Sequence, residues 1–252
     1  MEPRPTSTGT YARACTKAGL YTLDSARLES LELDLIVTQE LCAVCAVNYE
    51  TVARAANRLV GDPRIVSLEP CSLADVYATI ALLGDIIGNA ANATSLIDAL
   101  RPRAGRLHAE TAAAQTAGER RPRALVLEWT DSPMGGGHWN AGTRRRRQRR
   151  GTPRQPGLNS TVIAWEDIAA ADPDVVIVAP CGFDLKAVRR AVAELEGNAV
   201  WRNLRAQREH EVYLNRPGPR LLDTAEIFAT IFYEDAIDVA VLDPHAWQAL
   251  HD

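Results

Sequence analysis

The 252-residue chain is long enough for one large domain or two small ones, each with a sizeable core. Its 46% hydrophobic and 24% charged residues are ordinary for a globular protein. No apolar run approaches the roughly 20 residues that span a bilayer, so we expect no membrane span. The first 19 residues lack the apolar centre of a secretory signal peptide. If the chain is complete, we expect it to stay in the compartment where it is made.

The formal net charge is −4, and the charged residues are unevenly distributed along the chain. Residues 144–150 hold six arginines, and without those six charges the remaining chain would stand at −10. An acidic remainder argues against a nucleic-acid partner. The arginine run itself matches a nuclear-localisation or nucleic-acid patch, but runs of like charge are more often solvated loops.

Two strands and four helices are predicted in the first half of the chain. Residues 1–19 are rich in turn formers and are expected to be disordered. Asp24 and Ser72 stand where helix caps are expected, and Pro102 interrupts the longest helix. The predicted helices are 23–31, 42–59, 72–87 and 91–117, and the strands are 34–37 and 64–70.

Four strands alternate with helices in the second half, which predicts an α/β fold with mostly parallel sheets. The segment around 34–47 is echoed at 174–185: both have an aspartate, four aliphatic residues and a turn that carries a cysteine. This echo suggests two lobes built alike. The predicted strands are 123–129, 160–165, 174–179 and 211–214, and the helices are 166–171, 185–195, 201–204 and 220–233.

Five cysteines are too few and too scattered for a disulfide framework. Cys42 and Cys45 form a CxxC pair at a predicted helix start, where a thiol pair can be redox-active. They can equally be small buried packing residues or part of a turn that lines a cleft. A structural zinc site is not predicted, because no second pair of ligands accompanies them.

Charged and aromatic residues near predicted strand ends are the candidates for binding. Glu40, Glu69 and Glu128 lie at or just after strands, at the edge where open α/β sheets bind ligands, or they remain at the surface. His138 and Trp139 follow three glycines and suit a large, flat, partly apolar ligand, and the alternative is a disordered loop next to the arginine run.

The turn that begins with Asn215 and Arg216 precedes a helix, and Arg216 can bond ligand amides or carboxylates. The alternative for this turn is a capped loop that holds Arg220 in a salt bridge.

Six short motifs, in this order, resemble cobalamin-binding proteins of the iron-siderophore/cobalamin (class III periplasmic-binding) family of ABC-transporter substrate-binding proteins. They are TQELCAVCAV (38–47), VSLEP (66–70), LEW (127–129), GHW (137–139), APCGFDL (179–185) and NRPGPRL (215–221).

The resemblance implies two Rossmann-like lobes joined by one long helix: an N-terminal lobe over 1–90, a linking helix over 91–117, and a C-terminal lobe over 118–252. Cobalamin, or a related corrinoid, would be a bound ligand in the cleft between the lobes and not a catalytic cofactor. We expect a monomer without enzyme activity that delivers its ligand to an ABC-transporter permease.

The resemblance also implies which residues serve these roles. His138 would be the axial ligand to cobalt, and Glu69 and Glu128 would dock onto the transporter. The ligand-binding residues would be Gln39, Glu40, Cys42, Trp129, His138, Trp139, Cys181, Phe183, Asn215 and Arg216.

The chain departs from the family pattern in three places. Nothing before Leu20 matches the first strand and helix, so the N-terminal lobe is expected to be truncated. An arginine-rich insert, expected to be disordered over 140–158, replaces an apolar helix, and the segment between Tyr213 and Asn215 is shortened. Iron-siderophore or haem binding by the same fold, or an intracellular thiol redox protein that uses Cys42 and Cys45, are the alternative functions.

Overall fold

The computed structural model describes residues 23–39, 47, 49–118, 122–136, 160–180, 182–215, 221–233, 237 and 247–251. The chain divides into two compact units, Met1–Cys71 and Ser72–Asp252. The helices are α1 Ser25–Ser30, α2 Tyr49–Ala56, α3 Leu73–Ile86, α4 Ala90–Thr116, α5 Trp165–Ala171, α6 Leu185–Leu195, α7 Ala199–Asn203, α8 Arg205–Arg208 and α9 Leu221–Phe232. The strands are β1 Leu35–Thr38, β2 Arg64–Ser67, β3 Ala124–Trp129, β4 Met134–Gly135, β5 Thr161–Val162, β6 Val175–Val178, β7 Val212–Asn215 and β8 Trp247–Ala249. Across the described ranges, no helix combines the length and the apolar character needed to cross a membrane.

The first unit contains a two-stranded parallel sheet, and both of its strands lie where the sequence predicts them. β1 pairs with β2 from Leu35 opposite Arg64 to Thr38 opposite Ser67. Val52 and Ala56 of α2 pack against Ile36 of β1 and form the small core of this unit. The helix predicted over 42–59 is confirmed only over α2, because Val47 is not helical and residues 57–59 form a turn and a bend after the helix ends.

The second unit contains a six-stranded sheet with the order β5-β4-β3-β6-β7-β8. The three central strands β3, β6 and β7 are parallel, whereas β4 and β8 pair antiparallel with their neighbours. The expectation of a mostly parallel sheet is therefore wrong for this unit, which has a mixed sheet. A tight turn joins β3 to β4, with Ser132 at φ +53°, and such a turn replaces the helical crossover that parallel strands need.

Helices cover both faces of the parallel strands. Val176 and Val178 of β6 belong to the core on the side of α5, α6 and α7, whereas Val175 and Ile177 pack with α9. All four residues of β6 are buried. A strand that is buried on both sides is uniformly apolar, which is why this segment is recognisable in the sequence.

The long helix predicted over 91–117 is present as α4 and runs through Pro102 without ending. Proline lacks the N–H that would bond the carbonyl of Asp98, and an interior proline disfavours a helix by roughly 3 kcal/mol. Packing must therefore hold this helix in place.

Arg103, next to that proline, joins α4 to α9. Its guanidinium binds both carboxylate oxygens of Glu226, with Nε–Oε1 at 3.1 Å and Nη2–Oε2 at 2.5 Å, and reaches Asp223 Oδ1 at 2.7 Å. The hydrogen bonds with Glu226 outweigh burial and, with those of Asp223, raise the pKa of Arg103. Further along α4, Gln115 donates to the Tyr233 hydroxyl at 2.8 Å. These contacts attach the long helix to α9 and to Tyr233 within the second unit.

α3 and α4 form a close helical hairpin at Gly84. A Cβ atom added to Gly84 would lie 2.4 Å from the Cβ of Ala93, which is far inside van der Waals contact. Glycine is therefore the residue that permits this approach of the two helices.

An ion-pair cluster lies at the amino ends of β3 and β6. Arg123 binds Asp172 and Asp174 at 3.1 and 3.2 Å, and Arg205 of α8 binds the same two carboxylates. Burial alone would raise the pKa of Asp174, but hydrogen bonds from Arg123 and Arg205 prevail and hold it at about 2, against an ordinary 3.8.

Gly84→Ala is expected to destabilise the protein by about 1–3 kcal/mol, because the new methyl group must push the two helices apart. Gly105→Ala is the matched control, since nothing lies within 4 Å of its Cβ position. That change should raise the free energy of unfolding by about 0.5–1 kcal/mol, because alanine favours a helix interior. Urea unfolding measures both, and equal effects of the two substitutions would contradict the close contact.

Arg103→Met is expected to lower the free energy of unfolding by about 3–5 kcal/mol, because it leaves two buried carboxylates without their cation. Arg106→Met, at an exposed position of the same helix, should change it by less than about 0.5 kcal/mol. The comparison requires unfolding curves of both variants in one buffer. If the two substitutions cost the same, Arg103 does not anchor α4.

Asp174→Asn should destabilise the protein at pH 7 by on the order of 1–2 kcal/mol, after allowance for solvent screening. A carboxyl group with a lowered folded-state pKa stabilises above its unfolded pKa and loses this contribution as the pH falls through the folded value. The difference between wild type and variant should therefore be full above about pH 4 and disappear as the pH falls through the folded-state pKa of about 2. Unfolding free energies measured from pH 7 down to pH 2 would reveal this convergence, and a difference that stays constant would contradict the ion-pair account.

Candidate site at the carboxyl edge of the second sheet

Three neighbouring parallel strands end at one edge of the second sheet. β3 ends at Trp129, β6 at Val178 and β7 at Asn215, and the pairings of these strands are in register. Ligands bind open α/β sheets outside the carboxyl ends of parallel strands. This edge is therefore the candidate site within the second unit.

Trp129 and Phe183 form an aromatic pair at this edge. Their ring centroids are 5.3 Å apart and their planes meet at 68°, an edge-to-face arrangement. Both side chains are only partly buried, and Phe183 also packs against the core of the sheet. Such a pair presents rigid apolar area at small entropic cost. The sequence analysis predicts that both residues contact the ligand, and in the structure their rings contact each other.

Phe183 is held in place by the start of α6. Its backbone N–H donates to the carbonyl of Pro180 at 3.2 Å, which closes a turn after β6. Asp184 then caps the helix, because its Oδ1 accepts the N–H of Ala187 at 2.7 Å. The capped turn fixes the direction in which the Phe183 side chain leaves the backbone.

Two residues at this edge were not predicted from the sequence. Thr130, directly after Trp129, is a buried polar residue with 5% exposure. Trp247 opens β8 opposite Asn215, and its ring lies 5.8 Å from that of Tyr213. The large aromatic side chain of Trp247 is the only feature of the sequence that could have indicated a role for this position. The strand itself could not be predicted, because three residues show no periodicity.

The acidic residues predicted to dock onto a transporter have different surroundings. Glu69 is exposed in the first unit and accepts a hydrogen bond from Ser67 Oγ at 2.8 Å. Glu128, in the second unit, is partly buried and accepts from the hydroxyl of Ser160. Glu69 is therefore the more accessible of the two carboxylates.

The remaining predicted residues are only partly described. Gln39 is partly buried and directly follows β1 in the first unit, and Asn215 is the last residue of β7. The predictions for Glu40, Cys42, Cys45, His138, Trp139, Cys181 and Arg216 fall outside the described residues, as do those for 1–19 and 140–158. Where side chains are described, no three histidines, cysteines, aspartates or glutamates are grouped to hold a metal ion.

Residues 43–217 match the sequence pattern of one family, described as periplasmic binding protein. That match spans more than half of the chain. The chain belongs to the periplasmic binding protein family. Members of this family bind solutes and catalyse no reaction, which agrees with the expectation that the chain is not an enzyme. The thiol redox alternative based on Cys42 and Cys45 accordingly loses its support.

Solved structures of periplasmic binding proteins share the fold. A periplasmic haem-binding protein from Pseudomonas aeruginosa superposes with a TM-score of 0.69 at 21% identity, over 87% of this chain and 79% of that one. An ABC-transporter substrate-binding protein from Listeria monocytogenes gives 0.62 at 16% identity, over 84% and 81%. IsdE from S. aureus, in complex with haem, gives 0.60 at 14% identity, again over 84% and 81%.

No curated protein matches the sequence. At these identities the solved structures establish the α/β fold of a periplasmic binding protein and leave the ligand open. The expected family is thus confirmed, whereas cobalamin as the particular ligand finds no specific support.

Proposed function

We propose that the protein is an ABC-transporter substrate-binding protein whose ligand is a tetrapyrrole, with haem as the first candidate. The observation that carries this proposal is the Trp129–Phe183 pair at the carboxyl edge of the second sheet. A flat macrocycle has the apolar faces that such a pair recognises. Several of the solved structures with the same fold are haem-binding proteins.

Haem and cobalamin differ in the groups that would complete the site. Haem carries two carboxylates at its rim, whereas the rim of cobalamin carries neutral amides. Arg216 can bind a carboxylate through two parallel hydrogen bonds, and such a pair is stronger than a bond to an amide. The sequence motifs favour cobalamin as the ligand. This preference for carboxylates, together with the haem-binding proteins of the same fold, instead favours haem. Cobalamin is the second candidate, favoured by the six motifs shared with its binding proteins.

In this proposal His138 supplies the axial imidazole to the metal of the macrocycle, and Trp139 adds apolar contact. Glu40, Gln39, Cys42, Cys181 and Asn215 remain proposed ligand contacts. Glu69 and Glu128 are proposed to face arginines of the permease, and the protein is proposed to act as a monomer.

Titration with haem and, separately, with cyanocobalamin tests the proposal. Haem should give a saturable change in the Soret band at one equivalent, and cyanocobalamin should bind at least about tenfold more weakly. His138→Ala should alter the Soret spectrum of the complex, because the axial ligand changes. The haem assignment fails if cyanocobalamin binds more tightly, and the tetrapyrrole assignment fails if neither compound binds.

Trp129→Ala is expected to weaken haem binding by about tenfold or more, because it removes a large apolar contact. Phe232→Ala is the matched control, since this partly buried aromatic lies in the last turn of α9, away from the carboxyl ends of the strands. The control should lower the melting temperature and leave the affinity of the folded protein unchanged. Equal losses of affinity in the two variants would show that Trp129 acts only through stability.

A further inference from the structure

Two histidines from separate parts of the second unit meet next to β7 and β8. The ring centroids of His210 and His251 are 4.1 Å apart, and the ring planes meet at 75°. Both side chains are exposed. Neither residue belongs to the carboxyl edge, and the proposed tetrapyrrole site makes no use of them.

The backbone holds each histidine in position. His210 adopts a left-handed conformation with φ +64°, at the turn between α8 and β7. The neighbouring Glu211 N–H donates to the carbonyl of Ala206 at 2.7 Å and closes that turn. A non-glycine residue at positive φ is uncommon and is kept there by its surroundings.

His251 directly follows Leu250, whose backbone N–H and carbonyl both form hydrogen bonds. The N–H of Leu250 donates to the carbonyl of Val212 at 2.8 Å, and its carbonyl accepts from Arg189 Nη1 at 3.2 Å. β8 pairs with β7 just before this point. The ladder thus brings the two imidazoles together from distant positions in the sequence.

The surroundings of His210 hold both carboxylates and arginines. Glu209 and Glu211 flank it, with the Glu209 carboxylate 3.4 Å from Arg205 Nη1 and the Glu211 carboxylate accepting from the Tyr213 hydroxyl at 3.2 Å. Arg189 is a positive group on the side of His251, where its Nη1 donates to the backbone carbonyl of Leu250. Glu209 is exposed and its contact with Arg205 is long, so its carboxylate can turn toward a bound ion.

We propose that His210 and His251 form a two-histidine site for a divalent transition-metal ion. Imidazole nitrogen suits Cu²⁺, Ni²⁺ and Zn²⁺, and affinity is expected to be highest for Cu²⁺. Two imidazoles on one tetrahedral ion, with metal–nitrogen bonds of about 2.0–2.1 Å, have centroids about 5 Å apart. In the present edge-to-face arrangement the two rings do not direct a nitrogen each at one point, so both exposed side chains must rotate about their χ angles to bind the ion. The bound ion would clip β8 to the turn before β7, which is a further contact that only the folded chain can make.

The test uses the full chain, the metal ions alone, and isothermal titration calorimetry with Ni²⁺, Zn²⁺ and Cu²⁺. Two variants remove the site: His210→Asn, chosen because asparagine tolerates a positive φ, and His251→Ala. His108→Ala is the matched control, since His108 is an exposed histidine on α4. Each site variant should weaken one-to-one binding by about tenfold or more, and the control should leave it unchanged.

Thermal unfolding gives an independent readout. Saturating Ni²⁺ should raise the melting temperature of the wild type and of His108→Ala, and it should do so much less in the two site variants. The proposal is overturned if no saturable binding occurs up to millimolar metal, or if binding persists unchanged in both site variants. It is also overturned if His108→Ala reduces binding as much as they do.

Discussion

The second unit is organised around β6, Val175–Val178, whose four residues are all buried between helices on both faces of the sheet. A strand in this position cannot slip by one residue without exchanging the side chains that fill two different cores. The register of β3 and β7 on either side is therefore fixed by packing, and with it the place where each strand ends. Trp129 and Phe183 meet because the strands that carry or precede them end side by side.

The two edges of the parallel strands have different chemistry. At the amino edge, Arg123 and Arg205 neutralise Asp172 and Asp174, and the interactions there are internal to the protein. At the carboxyl edge, the chain places two partly buried aromatic rings in edge-to-face contact. The edge with the ion pairs contributes to stability, and the edge with the aromatic pair is the one proposed to bind the ligand.

Most of the helices and strands could be predicted, because the elements that carry the fold are long or strongly patterned. β6 and the sequence around it were recognisable from an aliphatic run, and α4 from its length and alanine content. β4 and β8 were missed, because strands of two or three residues have no readable period. Missing them also led to the wrong expectation of a mostly parallel sheet.

Contacts between distant residues could not be predicted from local patterns. Arg103 and Glu226 stand 123 positions apart, and nothing in either segment indicates the other. The candidate site was predicted better than these contacts, because the motifs that carry the family resemblance include Trp129 and Phe183. The meeting of those two rings was still beyond the sequence, since it depends on the pairing of β3 with β6.

The position of β8 also affects how the sheet is assembled during synthesis. This strand follows all the others in the sequence, yet it covers one side of β7 through antiparallel pairing. Until residues 247–249 have left the ribosome, β7 presents a free row of backbone donors and acceptors along that side. Open strands of this kind pair readily with other chains, so the nascent protein passes through a stage that is prone to aggregation. Pairing of β8 with β7 ends that stage. The three residues of β8 therefore matter for the folding yield, although they contribute little to the core.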